Sequence, residues 1–481
     1  MQNLLQQQLA RVRTAVLALA VLSGGANCAP SGEREAEPSA TRQGPDAVGS
    51  ASVAPTWTTE VDTLADAVVV RTGIATDAET ELHLIEELRI GEAYEQDERV
   101  LGDARFVLPA PDDGVYVWDN SATMLREYDG KGRFRRDVGA RGDGPGEYRS
   151  ANGMVRLKDG RLVLWDPRNL RMSLYDSLGR TVADRRHPST LGIDNWRGLL
   201  VDTADAVYAL SWFRSVAVGR EAYPGEREGY LVRSAQGEVR DSVMRPPSLG
   251  RPAVLVSRMS GGAMIWDYVP FAAQPRWTVS PLGYVVSGVG SRYAITLHRP
   301  DGPLRIEREL EPVAVAAREK SEAEAAVTAD MRTVNREWTW NGPAIPSVKA
   351  FFTDLRTSAE GRIWVERVVG AALQDSASAQ SGIIAPRGSG AEIIPRRLPA
   401  QQERHAFDVY SPHGYLLGTV QVPLRSRITY MRGDRVWGVV IDDMGRTEVV
   451  RWRVEPSLAA RERAQASAVV IPCTSVGTCD A

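Results

Sequence analysis

The segment from Gly114 to Tyr148 recurs in register. Trp118-Asp119 returns as Trp165-Asp166, Tyr128-Asp129 as Tyr175-Asp176, and Gly132-Arg133 as Gly179-Arg180, each forty-seven residues further on. A fixed period of this length, carrying several short β-rich runs, is the mark of propeller blades: one unit cannot bury its apolar faces alone, so it stacks on the next. Each repeat reads as an inner strand, a polar turn, a strand such as Val115 to Trp118, a short loop, and a strand ending in a turn of form Tyr-Asp-x-x-Gly. That last turn can be followed at Tyr128 to Gly132, Tyr175 to Gly179, Arg233 to Gly237, His298 to Gly302 and Tyr410 to Gly414. Its glycine is expected at positive φ, which other side chains tolerate poorly. A sixth unit runs from Arg435 through Asp442-Asp-Met-Gly445 to Val454. The expectation is an all-β fold: a six-bladed β-propeller of four-stranded antiparallel blades over residues 65–456.

A ring of blades must be closed, and a strand from one terminus completing a blade built by the other does this. The sequence offers Val68 to Arg71 or Leu84 to Ile90 for that role in the last blade. The Leu and Glu content of 82–90 also admits a helix. Gly302 and Gly414 lie 112 positions apart, so blade five carries insertions. Residues 315–339 are helical by propensity, without Gly or Pro, and are expected as a helix between blades four and five. Residues 371–403, rich in Ala, Ser, Gly, Gln and Pro, are expected as a mobile loop. Such insertions either decorate a binding face or drift without function.

Residues 1–28 have the anatomy of an export signal, with Arg11 and Arg13 before an apolar run from Thr14 to Leu22 that is too short to span a bilayer. Leu22-Ser-Gly-Gly-Ala-Asn-Cys28 is placed where a lipobox would stand, although Asn27 replaces the usual small residue. Lipidation of Cys28 is the expectation, and simple cleavage nearby the alternative. Residues 29–64 then form a flexible linker. In the C-terminal tail, 457–481, Cys473 and Cys479 are expected to form a small disulfide loop in an oxidising compartment; free thiols or a metal pair are the alternatives, and Cys-x5-Cys lacks the usual metal spacing. A net charge of −3 with no basic stripe argues against nucleic acid. Lysine occurs only at 131, 158, 320 and 349, so nearly all positive charge is arginine.

The run Val138-Gly-Ala-Arg-Gly-Asp-Gly-Pro-Gly-Glu-Tyr148, followed by Gly160 to Asp166 and Asn169 to Asp176, resembles bacterial six-bladed β-propeller lipoproteins related to the NHL-repeat group. In that group a Gly-x-Gly-Pro-Gly-Glu-Phe/Tyr segment links one blade to the next, and here it falls on Gly142, Gly144, Pro145, Gly146 and Glu147. The resemblance implies the fold, an envelope address and membrane contact through a lipid anchor only. It implies almost no chemistry.

The remaining motifs have simple readings. The glycine-rich run 139–146 lacks the following helix and Lys-Ser/Thr of a phosphate-cradling loop. Arg-Gly-Asp at 141–143 and 432–434 lies in turns that blade geometry already explains. The five histidines, His83, His187, His298, His405 and His413, show no metal-ligand spacing, and no Gly-x-Ser-x-Gly elbow occurs. Asp119 and Asp166, with Asn120 or Asn169, could line a channel mouth and hold Ca²⁺; a repeated Asp at a turn also has the commoner task of capping it. No catalytic residue, resident metal or cofactor is assigned. The leading functional expectation is an exported binding or interaction module taking a peptide, glycan or envelope protein. The alternatives are a metal-dependent propeller hydrolase or lactonase with its site at the channel, and a structural scaffold.

Overall fold

A computed structural model of the chain describes residues 57–75, 77–91, 101–186, 191–193, 198–213, 228–258, 264–373, 380–387, 390–397, 401–441 and 446–468. Residues 1–28, read as an export signal, and Cys28, Cys473 and Cys479 lie outside the described residues.

The two clearest repeats fold as two equivalent antiparallel sheets. Sheet I pairs Ala104–Pro109, Val115–Asp119, Met124–Tyr128 and Phe134–Asp137 in that order. Sheet II pairs Met154–Arg156, Leu162–Asp166, Arg171–Tyr175 and Thr181–Arg186 in the same way. Sheet III begins with Leu191–Ile193 and Leu199–Val201, both against Val207–Phe213, and continues through Glu228–Arg233 to Val239–Met244. Sheet IV runs Pro275–Val279, Val285–Val289, Ala294–His298 and Leu304–Arg308. Asp354–Thr357, Ile363–Leu373, Gln401–Tyr410 and Leu416–Gln421 make sheet V, and Ser426–Arg432, Arg435–Ile441 and Thr447–Glu455 begin sheet VI. The glycines of the five recurring turns, Gly132, Gly179, Gly237, Gly302 and Gly414, all have positive φ, from 78° to 124°.

Glu81–Ile90 supplies the fourth strand of sheet VI, antiparallel to Thr447–Glu455 from His83 opposite Glu455 to Ile90 opposite Val449. Of the two closing candidates this is the one used, and it is a strand rather than a helix. Its first residues also pair in parallel with sheet V, Glu81 with Thr419 and Leu82 with Val420. The other candidate, Val68–Thr72, goes elsewhere: it adds in parallel to Leu304–Arg308 of sheet IV, and Thr59–Thr63 pairs outside it. Burial accompanies this pairing: Val69 and Val70 are both buried, and Val70 enters the core shared by sheets IV and V.

Buried apolar clusters join each sheet to its successor. Trp118 and Leu125 of sheet I meet Met154, Leu164 and Tyr175 of sheet II, and comparable clusters join II to III, III to IV, IV to V and V to VI. A further cluster returns from sheet VI to sheet I, where Trp437, Val439 and Val449 pack with Ile90, Val107, Val115 and Val117.

A helix, Ala317–Val334, lies between the strands Leu304–Arg308 and Asp354–Thr357 in chain order. Its buried residues, Val327 and Met331, pack with Leu255, Trp338 and Ile345. Leu255 belongs to a separate hairpin, Val254–Arg258 with Met264–Tyr268, which the repeat does not foreshadow. Within 371–403, read from composition as a loop, the strands of sheet V extend to Leu373 and from Gln401, and Gln380–Arg387 pairs with Gly390–Arg397 as a hairpin. The Ile-Ile pairs at 383–384 and 393–394, facing each other in register, are the β signal that average composition hides. The tail begins as a helix, Leu458–Ala468. Among the described residues, no helix is long and apolar enough to cross a membrane.

Candidate ligand cavity

One strand from each of sheets I to VI, Leu199–Val201 in sheet III and the first strand in the others, borders a cavity of about 650 Å³. Its wall includes Arg105 and Leu108 of sheet I, Met154 and Arg156 of II, Leu199 and Val201 of III, Thr278 of IV, Arg356 and Thr357 of V, and Arg427 and Thr429 of VI. Strand pleat explains how these positions serve two purposes, since neighbouring side chains point to opposite faces. All four of Leu355, Arg356, Arg427 and Ile428 border the cavity, but the side chains of Leu355 and Ile428 are buried in the clusters between sheets.

Charge on this wall is unbalanced. Six cationic residues, Arg105, Arg156, Lys158, Arg356, Arg427 and Arg432, stand against Asp202, Asp205, Asp354 and Glu360. Several of the acids are already engaged. Asp202 accepts from the amides of Ala204 and Ala206 at 2.8 and 2.9 Å and from the Tyr208 hydroxyl at 2.9 Å. Asp205 accepts from the Lys158 amide at 2.9 Å. Arg356 Nε donates to Asp354 at 3.0 Å.

The arginines also reach from one inner strand to the next. Arg356 of sheet V donates through Nη1 to the Ile428 carbonyl of sheet VI, and Arg427 of sheet VI donates through Nη2 to the Ala104 carbonyl of sheet I at 3.0 Å. The Arg356 guanidinium lies 5.4 Å from the centre of the Phe407 ring. Burial holds the Arg427 guanidinium below the usual arginine range, opposed by Asp103 and reinforced by the like charges of Arg356 and Arg105. Among the described residues Arg427 makes no ion pair, and Arg156 Nε is buried without a hydrogen-bond partner.

Behind Arg356 sits Glu366, opposite Asp354 in the strand register. Its carboxylate is 3.8 Å from Arg356 Nη2 and 3.5 Å from His405 Nδ1. Burial pushes the Glu366 carboxyl above its ordinary range, against the pull of Arg356. Neither Glu366 nor His405 borders the cavity.

The residues singled out from sequence lie elsewhere, at strand ends and in the turns that follow them. Asp119 is 1% exposed and accepts from the amides of Gly102, Asp103, Ser121 and Ala122 and from Arg126. Asp166 accepts from the amides of Arg149, Arg168 and Asn169 and from the Ser150 hydroxyl. Asn120 Nδ2 donates to Asp103, and Asn169 Nδ2 to the Gly142 carbonyl. None of the four borders the cavity. Gly142, Gly144, Pro145, Gly146 and Glu147 form the crossing between sheets I and II, where Glu147 accepts from the Gly144 amide at 2.8 Å. Tyr148, next in sequence, donates its hydroxyl to the Val138 carbonyl at 2.8 Å and meets Trp118 edge-on at 5.1 Å. Among the described residues, no three His, Cys, Asp or Glu side chains converge as a metal site would need.

The cavity arginines carry no motif. The repeat register could have located their strands, because Met154 to Arg156 sits forty-seven residues after Val107 to Pro109. It could not have located the charges, since inner positions differ from sheet to sheet.

No protein-family model matches the chain, and no curated protein matches it in sequence. The solved structures that align with it are propeller-type proteins. A member of the DUF4221 family from Bacteroides vulgatus aligns at 8% identity and TM-score 0.45, over 78% of this chain and 98% of its own. A candidate exported protein from Bacteroides fragilis aligns at 10% identity and TM-score 0.42, over 80% and 99%. A gluconolactonase from Xanthomonas campestris aligns at 10% identity and TM-score 0.34, over 73% and 88%.

Proposed function

We propose that this chain is a six-bladed β-propeller with NHL-like repeats, held in the bacterial envelope by a lipid on Cys28, and that it is a binding module whose ligand enters the axial cavity. The observation that carries the reading is the convergence of one strand from each of sheets I to VI on one cavity of about 650 Å³, a volume suited to a small ligand or the end of a larger one. In this reading sheets I to VI are the blades, and Glu81–Ile90 closes the ring. The Cys473–Cys479 disulfide belongs to the same proposal, since an envelope compartment would permit it.

The test is ligand retention. The full chain is purified from native membranes beside a Thr357→Trp variant, which places an indole in the cavity, and both are examined by native mass spectrometry. A small molecule that travels with the parent chain and not with the variant supports the reading. Identical spectra from two folded proteins would remove the cavity as the ligand site. Cys28→Ser should move the protein from the membrane to the soluble fraction, and unchanged membrane retention would reject the lipid anchor.

A further inference from the structure

Resting on the cavity as the ligand site, we infer that its ligand presents an oxyanion, carboxylate or phosphate, to the guanidinium groups of Arg427, Arg356 and Arg105.

The argument starts from the arrangement of like charges. Arg105, Arg356 and Arg427 stand on the inner strands of sheets I, V and VI and border the same cavity. They are near enough for Arg356 and Arg105 each to disfavour the charged form of Arg427. Folding that merely joined strands would gain nothing from this repulsion, because any donor of similar length could reach the Ala104 carbonyl. Arg356 has carboxylates at 3.0 Å in Asp354 and 3.8 Å in Glu366, and Asp103 acts on Arg427 from a distance without pairing with it. Arg427 uses Nη2 on the Ala104 carbonyl at 3.0 Å and makes no ion pair among the described residues. Arg427 borders the cavity and keeps part of its surface exposed.

A guanidinium has five donors in a rigid fork that matches a carboxylate or phosphate edge in two parallel hydrogen bonds. With one donor engaged, Arg427 keeps a fork for such a group. Its neighbours, fixed by bonds to Asp354 and to the Ile428 carbonyl, set the field at that point without rearranging when the ligand arrives. A neutral sugar or a cation would gain nothing from this field.

The experiment measures binding to the full chain by isothermal titration calorimetry and thermal shift, with ionic strength held constant by chloride. The probes are inorganic phosphate and malonate, which separate phosphoryl from carboxyl preference, with glucose and spermidine as neutral and cationic controls. The proteins are the parent, Arg427→Gln, Arg427→Lys, Thr357→Trp, and Arg240→Gln on the outer strand of sheet III as a charge control. Phosphate or malonate should bind the parent and raise its melting temperature. Arg427→Gln should weaken that binding about tenfold, the loss expected when a charge-assisted hydrogen bond is removed. Arg427→Lys should recover it only in part, and Arg240→Gln should leave it unchanged. Without ligand, Arg427→Gln should melt no lower than the parent, since relief of repulsion offsets the lost bond to Ala104. No oxyanion binding, or equal binding by parent and Arg427→Gln, would overturn the inference. Glucose or spermidine binding that Thr357→Trp abolishes and Arg427→Gln spares would overturn it while leaving the cavity as the ligand site.

Discussion

The Tyr293 hydroxyl donates to Asp408 over 2.7 Å, joining sheet IV to sheet V through a carboxylate with no exposed surface. Arg308 at 2.7 Å, Arg367 at 3.0 Å and the Thr419 hydroxyl at 2.8 Å complete its surroundings. Removing the charge leaves two buried guanidiniums without it, so Asp408→Asn should cost about 3–5 kcal/mol, read as a lower urea midpoint. A midpoint within error of the parent's would show that the cluster contributes nothing net.

The same group sets a pH dependence. Burial alone would raise the Asp408 pKa, but Arg308 and Arg367 more than offset it and lower the pKa to about 2. An aspartate in the unfolded chain titrates near 3.9. The folded pKa is therefore the lower one, so the stabilisation is present above about pH 4 and is lost as pH falls through about 2. Urea midpoints taken between pH 6 and pH 2 should fall across that window in the parent, and less steeply in Asp408→Asn.

Asp119, itself buried, supports a turn by accepting from four backbone amides. Asp119→Ala should cost about 3 kcal/mol, because several of those donors lose their acceptor together. A chelator added to the parent should not move its melting temperature. A chelator effect of several degrees, abolished in Asp119→Ala, would instead show a cation held at that turn.

Gly146 has φ of +74°, and a methyl group on its Cα would lie 1.7 Å from Thr181 Oγ1. Gly146→Ala combines a strained backbone with a clash against sheet II, and about 2 kcal/mol of destabilisation is expected. Adding Thr181→Gly should remove the clash and leave the backbone strain, so recovery should be incomplete. Full recovery in thermal denaturation would show that the left-handed conformation carries no cost.

Leu82 is 1% exposed and packs with Trp364, Phe407, Val420 and Val450 from sheets V and VI. Leu82→Ala should cost about 2–5 kcal/mol. Because Glu81–Ile90 belongs to both sheets, fluorescence and circular dichroism should report one coincident transition. Separate early melting of sheet VI would show that the closing strand is not coupled to the rest.

What could be read from sequence follows from how many residues a feature needs. Trp118, Asp119, Tyr128 and Gly132 recur because each has a local task in its own repeat: filling an inter-sheet cluster, capping a turn, or taking positive φ. Repetition made those tasks visible, and with them the strand order of sheets I and II. The destination of Glu81–Ile90 was one of two candidates, because alternating apolar residues specify an edge to be covered but not which edge. The cavity was not legible. Arg356 and Arg427 come together through two different inner strands that share no residue pattern, and in a chain whose positive charge is almost all arginine neither stands out. The hairpin within 371–403 was hidden by averaging two Ile-Ile pairs with the polar residues around them.

The pairing of Ile90 with Val449 also sets a timetable. At about 5–20 residues per second, synthesis of the intervening chain takes roughly 20–70 s, during which the strand Glu81–Ile90 has emerged without its partner. Sheets I to IV can assemble within that interval, but the last sheet must wait until Thr447–Glu455 has been made. A chain built this way keeps one edge of Glu81–Ile90 uncovered, and open to wrong pairings, until its late partner strand is available.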